Sequence, residues 1–269
     1  MADARDSDLA SSSSRFQDIT TQLNSLYTPF GLEVHPFKIK WYNEQVDPSY
    51  QFGLHPDTLA YVVISTPDMF EKALLPFICY NDHIGSMDVL DRCMQFYFSL
   101  ARKEFPDEDL EVIHDFEMTP MRRAKVLVQP ACHVAGVAYY YTRRALNPDP
   151  FENKTAFGVC IHPKYGGWFA IRGVIIFKSV LCPQLQQTEP VDCVPQQEER
   201  AKLLELFTNH WKDWRYRDII PVEKRYSEDQ KQYFATAPKD RTSLILELRE
   251  KYCQQFSDLK KEVKGQERS

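Results

Sequence analysis

The sequence predicts a single domain of the α+β class. Strand-like and helix-like segments are intermixed along the chain without the regular alternation that marks a doubly wound fold. Residues 58–65 (TLAYVVIS) form a short apolar run rich in β-branched side chains, which is typical of a buried strand. The C-terminal third shows helical spacing of apolar residues. A chain of 269 residues can form one large domain or two small ones; we expect one, over 14–262.

The elements of the first half follow from local patterns. Residues 1–13 are acidic and serine-rich and are expected to be a disordered tail. Apolar positions recur at helical spacing over 16–26, and a strand is predicted over 32–41. Pro36 places that strand near a sheet edge, because proline has no backbone N–H to donate to a neighbouring strand. The next predicted elements are the strand over 58–65, helices over 67–77 and 86–105, and strands over 110–118 and 124–128.

The second half is predicted to contain one helix, a strand pair and a helical C-terminal third. Pro130 begins a helix that carries His133 and the three tyrosines at 139–141. Residues 158–162 and 168–177 are expected to be a strand pair around a Pro-Lys-Tyr-Gly-Gly turn. The remaining elements are helices over 196–216, 227–235 and 239–261, and a charged, solvated tail over 263–269.

Composition argues against several classes of protein. A net charge of −5 does not suit a nucleic-acid binder, which usually has a basic surplus. The longest apolar runs are too short to span a membrane, and Met1–Ser14 resembles neither a secretory signal nor a mitochondrial presequence. Seven cysteines without a CxxC pair predict neither a zinc site nor a thioredoxin-type site. We therefore expect reduced thiols in a cytoplasmic protein.

The segment from Pro130 to Gly173 is the best candidate for a ligand-binding wall. Four of the nine glycines lie in its last sixteen residues, where the backbone must turn sharply or approach another group closely. Aromatic side chains, Cys160 and Arg172 fall in the same segment. This mixture suits a large, flat, partly apolar ligand, although inert burial is the default interpretation of Cys160.

Two features of this segment have alternative interpretations. The HxxG sequence from His133 to Gly136 resembles the DxHxxG motif that supplies a cobalt ligand in some methyltransferases, but Ala131 stands at the aspartate position. A histidine buried near a helix start is the favoured alternative. Three consecutive tyrosines cannot share one helix face. Either one of them is exposed, or a ligand or partner covers it.

Three arginines are candidates for anion binding. Arg172, Arg217 and Arg241 each have an ordinary explanation as a salt-bridge or capping residue. Together they suit a ligand with two carboxylates, because guanidinium groups bind carboxylates through two parallel hydrogen bonds. The sequence alone does not show whether the three side chains converge in the fold. The GxGxxG, P-loop, HExxH and GxSxG motifs are absent.

The longer motifs resemble one family. The segments are PFGLEVHPFKIKWYN, HVAGVAYYY, GVCIHPKYGGWFAIRG, DCVP, HWKDWRYRD and RYSEDQKQYF. They are similar to the CblC (MMACHC) family of intracellular cobalamin-processing proteins, from about Tyr27 to Leu248. The resemblance implies a flavin-nitroreductase-like mixed sheet flanked by helices and adapted to hold cobalamin without its lower base.

The resemblance also implies site residues. The arginines that match the glutathione-binding positions of the family are Arg172, Arg217 and Arg241. Thr142 replaces the glutamine that is usual at its position, and His133 is better interpreted as a structural or pocket-lining residue. The implied cobalamin contacts are Asp115, Val126, Leu127, Val128, Gln129, Tyr140, Tyr141, Thr142, Gly158, Cys160, Ile171, Trp214 and Tyr226.

The implied function is removal of the upper ligand of cobalamin. Glutathione thiolate would remove alkyl groups, and reduction by thiol or by a reduced flavin (FMN or FAD) would release cyanide, with cobalamin-dependent thiol oxidation in air. The alternative is a non-catalytic carrier that hands cobalamin on through a CblD-type trafficking partner. A plain flavin reductase is a third reading, weakened by the lack of a basic phosphate cradle. No nucleic acid or membrane partner is expected, and the chain would be a monomer or a ligand-dependent homodimer.

Overall fold

An antiparallel four-stranded sheet forms the centre of the structure. In the computed structural model, residues 2–81, 88–152 and 154–266 are described, with side chains from Arg15 to Phe256. The strands are β1 (Leu32–Lys38), β2 (Thr58–Ser65), β3 (Leu110–His114) and the long β6 (Ala170–Leu181), in the spatial order β1-β2-β6-β3. The prediction of an α+β class is confirmed in its coarse form, a mixed fold with an antiparallel sheet flanked by helices.

The buried strand β2 divides the core into two faces. Its eight residues are all buried, as the sequence predicts. Leu59, Tyr61 and Val63 pack on one face together with α1 (Ala2–Tyr27) and α4 (Val89–Glu104). Their neighbours Ala60, Val62 and Ile64 pack on the other face with α5 (Val128–Val134). This alternation is the two-residue period of a strand covered on both sides. We call these the α4 face and the α5 face.

The remaining helices cover the sheet and complete the chain. They are α2 (Ile39–Asn43), α3 (Leu75–Tyr80), α6 (Gln197–His210), α7 (Glu228–Ala235) and α8 (Arg241–Gln266). Helix α1 begins inside the segment for which a disordered tail is predicted. The predicted start of α4 at Ser86 lies outside the described residues. None of the described helices is long and apolar enough to cross a bilayer. The proposed boundaries of the domain stay a prediction.

The edge position of β1 is confirmed. Among the described strands, β1 pairs only with β2, and Pro36 lies opposite Tyr61. An edge strand tolerates proline because the missing N–H leaves no gap in a ladder on its open side.

The three tyrosines form a strand, so the prediction of a helix there is wrong. Strand β4 (Tyr139–Tyr141) pairs with β5 (Val159–Ile161) in a separate two-stranded sheet. Gly136, at a φ of +73°, follows the end of α5 and turns the chain. In a strand Tyr139 and Tyr141 share a face, and their ring centroids lie 4.7 Å apart. The alternation of a strand therefore resolves the geometric conflict that a helix would create.

Two other local predictions are also wrong. The segments 158–162 and 168–177 do not pair with each other, because β5 pairs with β4 while β6 pairs with β2 and β3. Only the isolated bridge between His162 and Gly166 closes the turn between them. The predicted strand over 124–128 is also absent, because α5 already begins at Val128 and Pro130 lies in its first turn, where a missing N–H costs nothing.

The expectation that every thiol is reduced is wrong as well. Cys79 at the end of α3 and Cys253 in α8 form a disulfide. They are 174 residues apart in sequence, so local spacing gives no sign of the pairing. Cys93, Cys132, Cys160, Cys182 and Cys193 are free.

The strand β6 contains a β-bulge that requires a glycine at position 173. On β2, the adjacent residues Val63 and Ile64 face Gly173 and Ile171, so Arg172 is the extra residue. Gly173 has a φ of +146°, and a Cβ atom there would lie 2.3 Å from the carbonyl oxygen of Ile113 on β3.

We predict that Gly173→Ala destabilises the protein by on the order of 3 kcal/mol, because strain at φ adds to a clash with neighbouring backbone. Urea unfolding followed by circular dichroism measures the change. Gly53→Ala is the control, since no heavy atom lies within 4 Å of its added Cβ. Equal unfolding midpoints for the two variants would contradict the prediction.

Candidate functional site

A large cavity opens between α5, β4 and the segment after α2. Its volume is about 910 Å³, near the upper end of the range for ligand pockets. We call it the α5–β4 cavity. Its lining residues are Glu44, Gln45, Val46, Asp47, Leu127, Pro130, His133, Tyr140, Thr142, Arg143, Arg144, Leu146, Asp149, Ala156 and Gly158.

Four of the predicted contact residues line this cavity: Leu127, Tyr140, Thr142 and Gly158. Two of them depend on each other. A Cβ atom on Gly158 would lie 2.6 Å from the ring of Tyr140, so the ring can rest here only because residue 158 is glycine. Burial raises the pKa of the Tyr140 hydroxyl, which keeps it a neutral phenol.

The histidine of the HxxG motif also lines the cavity, but its ring nitrogens are committed. The backbone N–H of Tyr140 donates to Nδ1 of His133 at 3.2 Å. Burial is the main cause that lowers the pKa of His133, which favours the neutral ring. A neutral ring that accepts at Nδ1 carries its proton on Nε2. His133 thus presents no free lone pair for a metal in this arrangement.

Other predicted contact residues lie behind the cavity wall. Val126 is buried in the α5-face core, and Ile171 packs against the same core. Tyr141 is buried, and its hydroxyl donates to Asp192 at 2.7 Å. Val128, the first residue of α5, is partly buried against the same core. These residues support the wall and do not line the cavity.

Cys160 also belongs to this supporting layer. It pairs with Tyr140 in the two-stranded sheet, and its thiol lies 3.8 Å from the carbonyl oxygen of Gln129. Burial, followed by the hydrogen bond to the Cys132 side chain, raises the pKa of Cys160 well above its ordinary value. A thiol held in its protonated form is a poor nucleophile, so the default interpretation of inert burial agrees with its surroundings.

A second site is built from arginine and aromatic rings. The guanidinium carbon of Arg217 lies 5.0 Å from the ring centroids of Trp214, Tyr216 and Tyr226. Its Nη1 donates to the carbonyl oxygen of Gly167. Its Nε is buried and has no hydrogen-bond partner among the described residues. Trp214 adopts a left-handed backbone with a φ of +67°, which is rare for a bulky residue and is typical of a constrained site.

Arg172 is connected to this aromatic cluster. Its guanidinium carbon lies 6.0 Å from the ring of Phe234, and that ring lies 5.4 Å from the ring of Tyr226. Arg172 is only 6% exposed; its Nε donates to Oγ of Ser65 at 2.8 Å, and its Nη2 is buried without a partner in the described part of the chain. A buried N–H group without a partner is costly in a folded protein unless a ligand completes it.

Arg241 differs from the other two arginines because its hydrogen bonds are largely satisfied. It is the first residue of α8, and its Nη1 lies 2.6 Å from a carboxylate oxygen of Asp88. Its Nε donates to the carbonyl oxygens of Tyr233 and Thr236 at 3.2 and 3.0 Å. It therefore anchors the start of α8 against the N-terminus of α4.

Three carboxylates surround Arg172 and Arg241, and only one of them, Asp115, is among the residues predicted from the sequence. Asp88 caps α4 and binds Arg241, while the backbone N–H of Asp115 donates to the carbonyl oxygen of Arg172 at 3.1 Å. Asp91 lies in the first turn of α4. We call these five residues the carboxylate–arginine cluster.

The charges of this cluster act on one another. Burial, then Asp88 and Asp115, raise the pKa of Asp91 to about 6, against the opposing effect of Arg172 and Arg241. Burial also raises the pKa of Asp115, and Arg172 again opposes it. Perturbed carboxylates of this kind are concentrated at functional sites. In the sequence, Asp91 is indistinguishable from any acidic residue in the first turn of a helix.

The structure thus brings the predicted residues to two places. Leu127, Tyr140, Thr142 and Gly158 share the α5–β4 cavity. None of the three arginines lines that cavity. The predicted residues Trp214 and Tyr226 surround Arg217, and Asp115 lies beside Arg172. The bulge in β6 places two adjacent residues on opposite faces of the sheet, because Ile171 packs on the α5 face while Arg172 interacts with α4.

Comparison with known proteins assigns the family. The model of the methylmalonic aciduria and homocystinuria type C family matches residues 31–245. The chain belongs to this family. A Gallus gallus protein named cyanocobalamin reductase / alkylcobalamin dealkylase is 50% identical over 227 residues, which cover 84% of this chain and 95% of that protein. The Homo sapiens protein of the same name is 44% identical over 229 residues, covering 85% and 81%.

A solved structure confirms that the fold is shared within the family. It is the crystal structure of a C. elegans B12-trafficking protein CblC, described as a human MMACHC homologue. The two structures superpose with a TM-score of 0.79 at 30% identity, over 87% of this chain and 96% of that one. The family resemblance carried by the sequence motifs is therefore confirmed.

The raised pKa of Asp91 predicts a pH-dependent cost to stability. An acid whose pKa rises from 3.8 in the unfolded chain to about 6 in the folded chain stabilises the fold while it is protonated, below about pH 4. That stability is lost as the pH rises from about 4 to about 6, and the ionised carboxylate is unfavourable above it.

We therefore predict that Asp91→Asn unfolds at a higher urea concentration than the unaltered protein at pH 7.5, and that the gain is smaller at pH 5. The exposed Asp18, replaced by asparagine, is the control for the loss of one negative charge. A midpoint for Asp91→Asn that is unchanged or lower at pH 7.5 would show that Asp91 is not held at a cost.

Proposed function

We propose that this chain is a cobalamin-processing enzyme that removes both alkyl and cyano ligands from the cobalt of its substrate. Membership of the family supports this proposal, as does the name cyanocobalamin reductase / alkylcobalamin dealkylase, which relatives 44–50% identical to this chain carry. The observation that carries it is that one fold holds both a large cavity, lined by four of the predicted contact residues, and a buried arginine whose guanidinium group is incompletely hydrogen-bonded.

The proposed cobalamin site is the α5–β4 cavity. Leu127, Tyr140, Thr142 and Gly158 would contact the substrate, and the layer of Val126, Val128, Gln129, Tyr141 and Cys160 would hold the wall rigid. Ile171 and the ring of Trp214 or Tyr226 would extend the contact surface toward the arginines. Thr142 has a shorter polar side chain than glutamine and can offer a hydroxyl but no amide.

We infer that cobalamin binds without its lower base. Cobalt(III) favours six ligands, cobalt(II) five and cobalt(I) four, so loss of the lower ligand makes the reduced states easier to reach. His133 would not replace the lost base, since its Nδ1 already accepts the N–H of Tyr140. The protein would bind and orient the substrate, and the corrin cobalt would carry the difficult chemistry.

For alkylcobalamins we propose attack by glutathione thiolate on the carbon bound to cobalt. The carbon–sulfur bond forms as the cobalt–carbon bond breaks, and the electron pair of that bond stays on cobalt, which gives a thioether and cob(I)alamin. Arg172 and Arg217, with their unpartnered N–H groups, would hold glutathione and favour its ionised thiol. Arg241 would add positive charge while it remains bound to Asp88. Holding both reactants in position supplies much of the rate.

For cyanocobalamin we propose reduction of cobalt. One electron from a thiol or from reduced FMN or FAD converts cobalt(III) to cobalt(II), and cyanide leaves with the electron pair of its bond. A nitroreductase-like ancestry of the fold, a CblD-type partner, oxidation of thiols in air, a cytoplasmic location and a ligand-dependent homodimer stay predictions from the resemblance.

The second candidate function is a carrier that binds cobalamin without chemistry. The size of the cavity alone suits a carrier as well as an enzyme. The buried Nη2 of Arg172 favours the enzyme, because a protein that only carries cobalamin gains nothing from a buried and incompletely bonded guanidinium group.

Replacement of Arg172 by alanine separates these two functions. Methylcobalamin and glutathione are mixed with the protein without oxygen, and the spectrum of cob(I)alamin is followed. We expect the unaltered protein to form cob(I)alamin, and Arg172→Ala to lose at least tenfold in rate while it still binds cobalamin. Arg102→Ala, a change at an exposed arginine of α4, is the control. A carrier would show no thiol-dependent spectral change in any of the three proteins.

A second variant tests the cavity. Gly158→Ala adds a Cβ atom 2.6 Å from the Tyr140 ring, and we expect it to displace the ring into the cavity. Overpacking of this kind typically costs about 1–3 kcal/mol. If cobalamin must push the displaced ring back against the new Cβ atom, a cost of that size lowers its affinity by about tenfold. Titration of hydroxocobalamin, followed by absorbance, measures it, with Gly53→Ala as the control. Unchanged affinity would place the cobalamin site elsewhere.

A further inference from the structure

The carboxylate–arginine cluster has a charge pattern that the proposed use of glutathione does not yet explain. Carboxylates attract arginines, but a site designed only for the carboxylates of a ligand has no use for nearby acidic residues. Here three carboxylates surround two guanidinium groups, so one negative charge is left over when all five residues are ionised. Two of the carboxylates have evident structural tasks, and the third does not.

Asp88 and Asp115 are bound within the protein. Asp88 accepts the N–H of Leu90 at 2.9 Å as the cap of α4 and forms the ion pair with Arg241. Asp115 accepts backbone hydrogen bonds from its own N–H and from Phe116. Asp91 has neither a hydrogen bond nor an ion pair within the described ranges, and it is half-buried, so its carboxylate remains open to a ligand.

An independent observation points to a ligand at the same place. The Nη2 group of the 6% exposed Arg172 has no partner among the described residues, although Arg172 interacts electrostatically with both Asp91 and Asp115. One group therefore offers an N–H donor and its neighbour offers a carboxylate acceptor. No three acidic, histidine or cysteine residues in the described part of the chain are placed to hold a metal ion, so a bound metal does not account for the cluster.

A donor beside an acceptor is the complement of an α-amino acid group, whose carboxylate and ammonium lie on the same carbon. We propose that the cluster binds the zwitterionic end of the thiol substrate, with Arg172 donating to its α-carboxylate and Asp91 accepting from its α-ammonium. This inference rests on the proposed function, because glutathione carries such a group on its γ-glutamyl residue. Asp91 is then a specificity-determining residue that selects thiols with a free α-amino group over simple thiols.

The position of the second arginine fits this orientation. Arg217 is connected to Arg172 through the rings of Tyr226 and Phe234, with separations of 5.0, 5.4 and 6.0 Å along the row. It would receive the carboxylate of the glycyl residue. The ammonium group of the ligand, beside Asp91, would balance the surplus negative charge of the cluster. Binding would therefore offset the cost of keeping the Asp91 carboxylate ionised in the folded protein.

The test compares two ligands that differ only in the ammonium group. Two ligands are titrated into the protein without cobalamin: S-methylglutathione, and glutaryl-S-methylcysteinylglycine, in which hydrogen replaces the α-amino group. Quenching of tryptophan fluorescence reports binding, since Trp168 and Trp214 lie 5.6 and 5.0 Å from the guanidinium of Arg217. We expect the unaltered protein to bind the first ligand roughly tenfold more tightly, the size expected for one charge-assisted hydrogen bond.

The variants assign that preference to one side chain. Asp91→Asn should bind both ligands equally, Asp91→Glu should restore part of the preference, and Asp18→Asn should keep all of it. Equal affinity of the unaltered protein for the two ligands, or a preference that survives in Asp91→Asn, would overturn the inference and leave the proposed dealkylation intact. Absence of saturable binding of S-methylglutathione to the unaltered protein would overturn both proposals, because the glutathione site itself would be missing.

Discussion

The bulge in β6 is the constraint on which the site depends. Regular alternation from Ile176 and Val174 would place residue 172 on the α5 face of the sheet. The extra residue changes that phase, so that Ile171 packs on the α5 face and Arg172 interacts with Asp91 and Cys93 of α4. Bulges often redirect a side chain next to an active site. In this protein the bulge sends a guanidinium group into the core of the sheet.

A buried guanidinium requires partners, and several elements supply them. Oγ of Ser65, at the end of β2, accepts a hydrogen bond from its Nε. The carboxylates of Asp115, after β3, and Asp91, in α4, interact with it electrostatically, and the backbone N–H of Asp115 donates to the carbonyl oxygen of Arg172. Helix α8 joins the same region through the ion pair between Arg241 and Asp88, and the disulfide from Cys253 to Cys79 ties that helix to α3. Buried charges that are incompletely paired lower the stability of the fold. Such a loss of stability is common at sites that bind a ligand. The cost is thus concentrated where the chemistry is proposed.

The parts of this structure that sequence could predict are those with a local cause. The strand over 58–65 and the edge position of Pro36 follow from residue types alone. The prediction of a helix for the three tyrosines is wrong because Gly136 turns the chain just after α5. The tyrosines then form a strand by pairing with β5, which is distant in sequence. In the segment AIRGV, Gly173 signals a close backbone approach, but the sequence does not show which residue is the extra one in the bulge. Asp91 was missed because only its distant neighbours make it unusual.

The central claim is that Arg172 holds a thiol where it can react with bound cobalamin. Methylcobalamin with a ¹³C-labelled methyl group, incubated with glutathione and an excess of protein without oxygen, tests this claim in a single turnover. We predict that the label appears on the sulfur of glutathione, in equal amount to the cob(I)alamin formed, and that Arg172→Ala suppresses both products. Tight binding of methylcobalamin with the label still on cobalt, in the presence of saturating glutathione, would contradict it.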